Sequence, residues 1–237
     1  MSVLPSPDEK SAYVEQMFSR IADGYDTMNR IMTFGLDQSW RNYAADSIGL
    51  ASNGRVLDLG CGTGDFLPIL AQRAYDGMVV GADYTLPMMQ EGLGKLAKLG
   101  GRGSFIQGDA LRLPFADGAF DAITTGFMMR NVTDIGAAFR EMARVTRPGG
   151  RVACLEVARP KNPLVRLGHG VYFYHMVPLI ARALGADPTA YRYLPQSAQA
   201  FPQPERLAEI MADAGWGEVR YTLLGFGAVA VHIGVKK

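Results

Sequence analysis

Val56-Leu57-Asp58-Leu59-Gly60-Cys61-Gly62-Thr63-Gly64 is the stretch from which the rest of the chain can be ordered. A short apolar run ends in three glycines spaced two apart, and a helical pattern follows from Phe66 to Arg73. Glycine at a strand end lets the backbone turn tightly and lets a ligand approach it closely. Arg55 to Asp58 is therefore read as a strand that feeds a binding loop. The same alternation then repeats. Met78 to Ala82 is a second strand, followed by a helix from Pro87 to Leu99. Ser104 to Gln107 and Phe120 to Thr125 are the third and fourth strands. The helix Ile135 to Val145 carries Phe139, Met142 and Val145 on one face. Arg147-Pro148-Gly149-Gly150 makes a turn into a fifth strand, Arg151 to Val157. Strands and helices alternating at these lengths predict an α/β fold with a mostly parallel sheet and helices on both faces.

Outward from this frame lie two irregular regions and a closing pair of strands. Residues 1 to 10, with Pro5 and Pro7, read as a flexible tail. From Val14 onward Met17, Phe18, Ile21, Tyr25, Met28, Ile31 and Met32 recur at three- and four-residue steps. Gly24 divides that stripe into two helices, and Trp40 to Ile48 forms another. The stripe either packs on a core or lids a pocket. Residues 158 to 203 interrupt the alternation and are rich in aromatic residues, Pro and Arg. A helix from Pro204 to Ala214 and strands Glu218 to Leu224 and Ala228 to Val235 complete the chain. Gly225-Phe226-Gly227 is short enough for a hairpin, so a seven-stranded sheet should end in an antiparallel pair. The expected organisation is a tail and helical lid over residues 1–50 and a cofactor-binding domain over 51–237, with 158–203 inserted as an aromatic lid.

Composition narrows the classes. The 237 residues suit one α/β domain with decorations, and 48% of them are apolar. With 24 basic and 23 acidic residues the net charge is +1, which gives no field to hold nucleic acid. Cys61, Cys154 and three scattered histidines suggest neither a disulfide framework nor a metal site. The N-terminus lacks a signal-peptide pattern, and no charge-free run of eighteen apolar residues occurs. The expectation is a cytoplasmic enzyme, with any membrane contact peripheral.

The loop itself selects a ligand. A dinucleotide fingerprint needs a small residue five after its first glycine, and counting from Gly60 that residue is Asp65. A carboxylate there suits a cationic sulfonium carrying an amino acid better than it suits two phosphates. Gly60, Gly62, Thr63 and Gly64 would cradle such a ligand. Asp58, an acid inside an apolar strand, needs hydrogen bonds or a cation, and bonding the loop could be its whole role. Asp83 ends the second strand, where an acid can accept both ribose hydroxyls or simply start the following helix. Asp109 and Ala110 follow the third strand and could meet an adenine through a carboxylate and a backbone N–H.

Three segments resemble the ubiquinone/menaquinone biosynthesis C-methyltransferases. They are Tyr25-Asp26-Thr27-Met28-Asn29 continuing through Thr33-Phe34-Gly35 to Trp40, then Arg130-Asn131-Val132-Thr133-Asp134, then Arg144 to Gly150 followed by Leu155-Glu156-Val157-Ala158. The resemblance runs from about Val14 to the C-terminus. It implies a class I S-adenosylmethionine-dependent methyltransferase fold, with S-adenosyl-L-methionine as cofactor and a ring carbon of a polyprenylated quinol as acceptor. It also matches Thr63, Asp83, Asp109 and Ala110 to cofactor-contacting positions. There are departures: Asp37 stands where many members have His, Cys61 where Gly is common, and Gly126-Phe127-Met128-Met129 where a Ser-Phe-Gly pattern is usual.

A quinol carbon becomes nucleophilic as the neighbouring hydroxyl loses a proton, so alignment and a nearby base or cation should carry the rate. Arg130, just beyond the fourth strand, is the first candidate, as a cation beside the developing phenolate or as an orderer of water; a surface salt bridge is the competing use. Asn131 beside it and His175 in the aromatic insert are the other catalytic candidates. Tyr25, Tyr174 and Tyr191 are candidate substrate contacts. The stretch Leu164 to Leu184, with Arg166 and Arg182 near its ends, is the expected transient membrane contact; a buried element or a homodimer contact would use the same residues. Two other functions compete: methylation of a phospholipid amine or small metabolite, and a non-catalytic cofactor-binding scaffold of a quinone-biosynthesis complex. The Tyr-Asp-x-Met-Asn segment argues against the first, and the intact Gly60, Gly62, Gly64 and Asp83 against the second.

Overall fold

Strand β1 (Arg55–Leu59) runs through the middle of a seven-stranded sheet. The computed structural model describes residues 4–6, 8–183 and 187–237. Residues 1–3 and 7 of the expected tail, and Leu184 of the expected membrane stretch, lie outside the described residues. Ahead of the sheet come α1 (Lys10–Ile21), α2 (Tyr25–Thr33) and α3 (Leu36–Ser47). Behind β1 follow α4 (Leu67–Arg73), β2 (Met78–Asp83), α5 (Leu86–Glu91), α6 (Leu93–Ala97), β3 (Gly103–Gln107), β4 (Phe120–Gly126), α7 (Ile135–Val145) and β5 (Thr146–Val157). Next come α8 (Pro163–Val171), a π-helical turn at Tyr172–Met176, α9 (Val177–Ala183), α10 (Pro188–Ala200) and α11 (Pro204–Asp213). Strands β6 (Trp216–Leu224) and β7 (Val229–Lys236) close the chain.

The strand order is β3-β2-β1-β4-β5-β7-β6. The first five strands are parallel, while β7 runs antiparallel to both β5 and β6. Alternate residues of each strand feed opposite cores. Val56, Val79 and Ala153 pack with Ala44 and Ala45 of α3, Ile48 just beyond it, and Leu67 and Leu70 of α4. Leu57, Val80 and Ile123 pack with Phe139 and Met142 of α7 and Met211 of α11. A third core joins α1 and α2 to α9 and α10 through Met17, Met28, Val177, Ala181 and Tyr193. Helices α1 and α2 and the aromatic insertion thus share one core built from segments far apart in the sequence, while α3 packs on the sheet.

Three local expectations change. The helix predicted over 87–99 breaks at Gly92, because that residue packs on the glycine loop: a Cβ there would lie 2.5 Å from the Thr63 carbonyl oxygen. Residues 147–150 bulge within β5 rather than precede it, since the register passes from Phe120↔Thr146 to Ala122↔Arg151. The chain is helical from Lys10, whose ammonium donates to the Val132 carbonyl, so the tail is tied down earlier than its prolines suggest.

Candidate active site

The strand order reverses at β1, which has β2 on one side and β4 on the other, and open α/β sheets bind ligands at the carboxyl ends of strands at such a point. The loop that leaves β1 is glycine-rich for a physical reason. Gly60, Gly62 and Gly64 have φ of 69°, 54° and 80°, and a Cβ on Gly60 would collide with Met128. The Gly60 and Cys61 amides donate to the Ala82 carbonyl at 2.8 and 3.1 Å. Asp83 fixes the far side: its Oδ2 accepts the Gly62 N–H at 2.7 Å and its Oδ1 the Thr85 N–H at 2.8 Å. Burial pushes the Asp83 carboxyl pKa up, and these backbone bonds offset part of that.

A cavity opens over this loop. Gly60, Gly62, Asp83, Asp109, Ala110 and Asn131 line it, and Ser11, Val14 and Phe18 of α1 roof it. Asp109 is exposed and caps the Leu111 N–H at 2.9 Å. The left-handed glycines, the Asp83 carboxylate at the wall and the small Ala110 fit a nucleoside with an attached amino acid. When bound, S-adenosylmethionine would supply an electrophilic methyl group there.

A second cavity adjoins the first, and Phe18, Tyr25 and Phe127 belong to the walls of both. Its remaining wall includes Trp40, Arg41, Arg130, His169, Phe173 and Tyr191. Phe127 is held at φ 59°, a strained position for a residue with a side chain. Its N–H donates to Leu155 O at 2.8 Å, and its carbonyl accepts from Arg130 Nη1. Arg130 is buried and pairs with buried Glu156 at 3.1 Å.

A protein-family model described as the ubiE/COQ5 methyltransferase family matches residues 6–236. This chain belongs to that family. A demethylmenaquinone methyltransferase of Roseiflexus castenholzii is 64% identical over all of this chain and 98% of its own length. A ubiquinone/menaquinone biosynthesis C-methyltransferase of Proteus mirabilis is 40% identical, covering 97% of this chain and 92% of its own length. Among solved structures, a SAM-dependent methyltransferase from Aquifex aeolicus superposes with a TM-score of 0.61 at 18% identity, covering 83% of this chain and 89% of that one. The protein is an S-adenosylmethionine-dependent C-methyltransferase of quinone biosynthesis, on the class I methyltransferase fold.

Against this family background the individual residues fall into place unevenly. Gly126 stands where the family pattern has Ser because Phe66 fills the space: a Cβ there would lie 2.8 Å from the Phe66 ring. Asp58, Thr63 and Gly64 lie behind the cofactor cavity rather than in its wall. Asp58 accepts from Thr124 Oγ1 at 2.8 Å, not from the loop amides. Thr63 bonds Asp26 and accepts from Lys95 Nζ at 3.0 Å. Asp65 is not left for a sulfonium. It pairs with Lys95 at 2.6 Å and Arg30 at 3.1 Å. Burial opposes its ionisation, but Arg41, Lys95 and Arg30 outweigh that and hold its pKa down.

Tyr25 and Tyr191 line the second cavity, as does Arg130, whereas Asn131 lines the first and accepts from the Tyr193 hydroxyl at 3.1 Å. His175 and Tyr174 reach neither cavity. Both are exposed on the π-helical turn, with the Tyr174 hydroxyl on Gln199 at 3.2 Å. The histidine that does line the second cavity is His169, its ring 4.7 Å from that of Phe173. The four-residue step from His169 to Phe173 was the available signal for a shared inward face. Arg41 was passed over, and Trp40 was noted only as the end of a family-like segment and the start of a helix.

Proposed function

We propose that this enzyme methylates a ring carbon of a polyprenylated naphthoquinol at a membrane surface. The observation that carries the reading is the meeting of two cavities at Phe18, Tyr25 and Phe127, one lined by the glycine loop and Asp83 and the other by aromatic side chains and two arginines. A donor methyl and an acceptor carbon held on either side of that junction would be aligned for in-line transfer. The naphthoquinol is favoured because relatives 64% and 62% identical are named demethylmenaquinone methyltransferases, while the broader ubiquinone/menaquinone name belongs to a relative at 40%.

In this reading Asp83 accepts the ribose hydroxyls, and Asp109 and the Ala110 amide meet the adenine. Arg130 holds the Phe127 turn and places positive charge at the acceptor oxygen. Burial lowers the pKa of His169, so its imidazole is neutral at pH 7 and can take the hydroxyl proton directly or through one water. Arg41 and Arg130 in the acceptor wall, each paired with a buried carboxylate, offer N–H donors that suit a quinol oxygen and that an ammonium head group could not use. The membrane part rests on α8 and α9. Leu164, Leu167, Val171 and Leu179 are 81%, 67%, 50% and 61% exposed, while His169 and Phe173 of the same stretch line the cavity. No helix of the described residues is long and apolar enough to cross a membrane. A prenyl tail could therefore leave the cavity beside a face suited to the interface, on the cytoplasmic side where the cofactor is made.

Steady-state turnover on short-chain prenyl naphthoquinol, prenyl benzoquinol and phosphatidylethanolamine in one detergent tests the substrate. The expected kcat/KM is highest for the naphthoquinol, with no transfer to the amine. Preference for the benzoquinol would overturn the ring assignment, and transfer only to the amine would overturn the reading.

A further inference from the structure

The acceptor cavity has a charged end that the sequence pattern did not single out. Arg41 of α3 is buried, and its guanidinium lies between the rings of Phe66 and Phe127, 5.5 and 5.6 Å from their centroids. Arg130 lies 5.9 Å from the same Phe127 ring. Among the described residues, five buried side-chain polar atoms have no hydrogen-bond partner, and two of them are Arg41 Nε and Arg130 Nε. A buried, unmatched N–H is costly unless a ligand supplies the acceptor. Both of these belong to arginines in the wall of one cavity. The Arg41 Nη1 is fixed by Asp37 Oδ2 at 2.9 Å. Asp37 is itself buried and also takes Arg30 and, at 3.0 Å, the Thr33 hydroxyl. Asp37 is one of this chain's departures from the common family pattern, and here it is the hub that orients Arg41.

We propose that Arg41 is a second oxygen-binding residue of the acceptor cavity, offering the guanidinium edge that Asp37 leaves free to a ring oxygen of the quinol, with Asp37 as its positioning residue. This rests on the quinol reading of that cavity. Arg41 and Arg130, both close to the Phe127 ring, together stabilise the phenolate form that makes the ring carbon nucleophilic. Because Asp37 holds Nη1, the rest of the guanidinium is directed rather than free to swing.

The test uses the full chain saturated with S-adenosylhomocysteine and 4-nitro-1-naphthol as a chromophoric acceptor mimic. Its ionisation is followed by absorbance across pH in wild type, in Arg41→Lys and in an Arg41→Met, Asp37→Asn double variant that leaves neither charge stranded. Folding is checked by thermal melting and cofactor-product affinity by calorimetry. Expected is a bound naphthol that ionises at least tenfold more readily in wild type than in the double variant. Arg41→Lys should fall between, and kcat on the naphthoquinol should drop more than KM rises. Equal ionisation in folded wild type and double variant overturns the assignment. So does a tenfold loss of S-adenosylhomocysteine affinity with ionisation unchanged, which would give Arg41 to the cofactor's carboxylate. A normal ionisation shift in a wild type that methylates no quinol would sustain Arg41 as an oxygen site and overturn the quinol reading instead.

Discussion

Burial raises the carboxyl pKa of Asp58 to about 7, and the Thr124 hydrogen bond and the charge of Arg41 only partly relieve it. The native state therefore binds a proton that the unfolded chain, with an ordinary carboxyl near 3.8, gives up. The stability this confers is fully present below about pH 4 and is lost as pH rises through about 7. Asp58→Asn should flatten the fall of melting temperature between pH 5 and 8. Asp83, shifted in the same direction by burial, would leave a residual slope. A wild-type slope retained in full by Asp58→Asn would show that Asp58 is ionised throughout. Asp83→Ala removes a charged acceptor from the cofactor cavity, at a cost of about 1.5–3 kcal/mol in S-adenosylhomocysteine binding, roughly 10- to 150-fold by calorimetry. Unchanged affinity in a folded variant would take Asp83 out of the site. Asp83 was legible because it ends a strand beside a glycine loop, and both facts are local. His169 was legible only as sharing a helix face with Phe173; that this face turns inward depends on packing against helices from the other end of the chain.

At the scale of elements, α8 and α9 present two faces to two environments. Inward, His169 of α8 lines the acceptor cavity while Val177 and Ala181 of α9 join the third core; outward, Leu164, Leu167, Val171 and Leu179 are exposed. Pro178 does not break the helix: α8 runs through the π-helical turn Tyr172–Met176 directly into α9, with Pro178 in its first turn. In the π-helical turn the Val177 N–H reaches back to the Tyr172 carbonyl, which shifts the helical register just before the proline. That shift carries His175 and Tyr174 outward, and a fixed 3.6-residue period read from sequence cannot show it. The outward face makes a prediction. Leu167→Asp with Leu179→Asp should reduce flotation with phosphatidylglycerol-containing liposomes several-fold while melting temperature and S-adenosylhomocysteine affinity hold. Equal flotation would remove this face from the membrane contact. A loss of dimer instead, seen by sedimentation, would assign it to a second copy.

The whole molecule joins a domain whose plan is local to one whose plan is not. The parallel sheet was legible from end to end because each strand, turn and helix announces itself within a few residues, and right-handed crossovers leave few ways to assemble them. The lid was legible only as helices. Its core of Met17, Met28, Val177 and Tyr193 joins residues more than a hundred positions apart, and no period in the sequence links them. Yet that long-range core sets the chemistry, since it brings α1 over the cofactor cavity and α8 against the acceptor cavity, with Phe18, Tyr25 and Phe127 at their junction. The most direct test of this arrangement is where the methyl group goes. Single-turnover reaction of the enzyme with S-adenosyl-methionine labelled with carbon-13 in the methyl group and a short-chain prenyl naphthoquinol should give a product whose labelled carbon resonates as a methyl on an aromatic ring carbon. A label found on oxygen, or retained on the cofactor when the enzyme is folded and saturated with both, would contradict it.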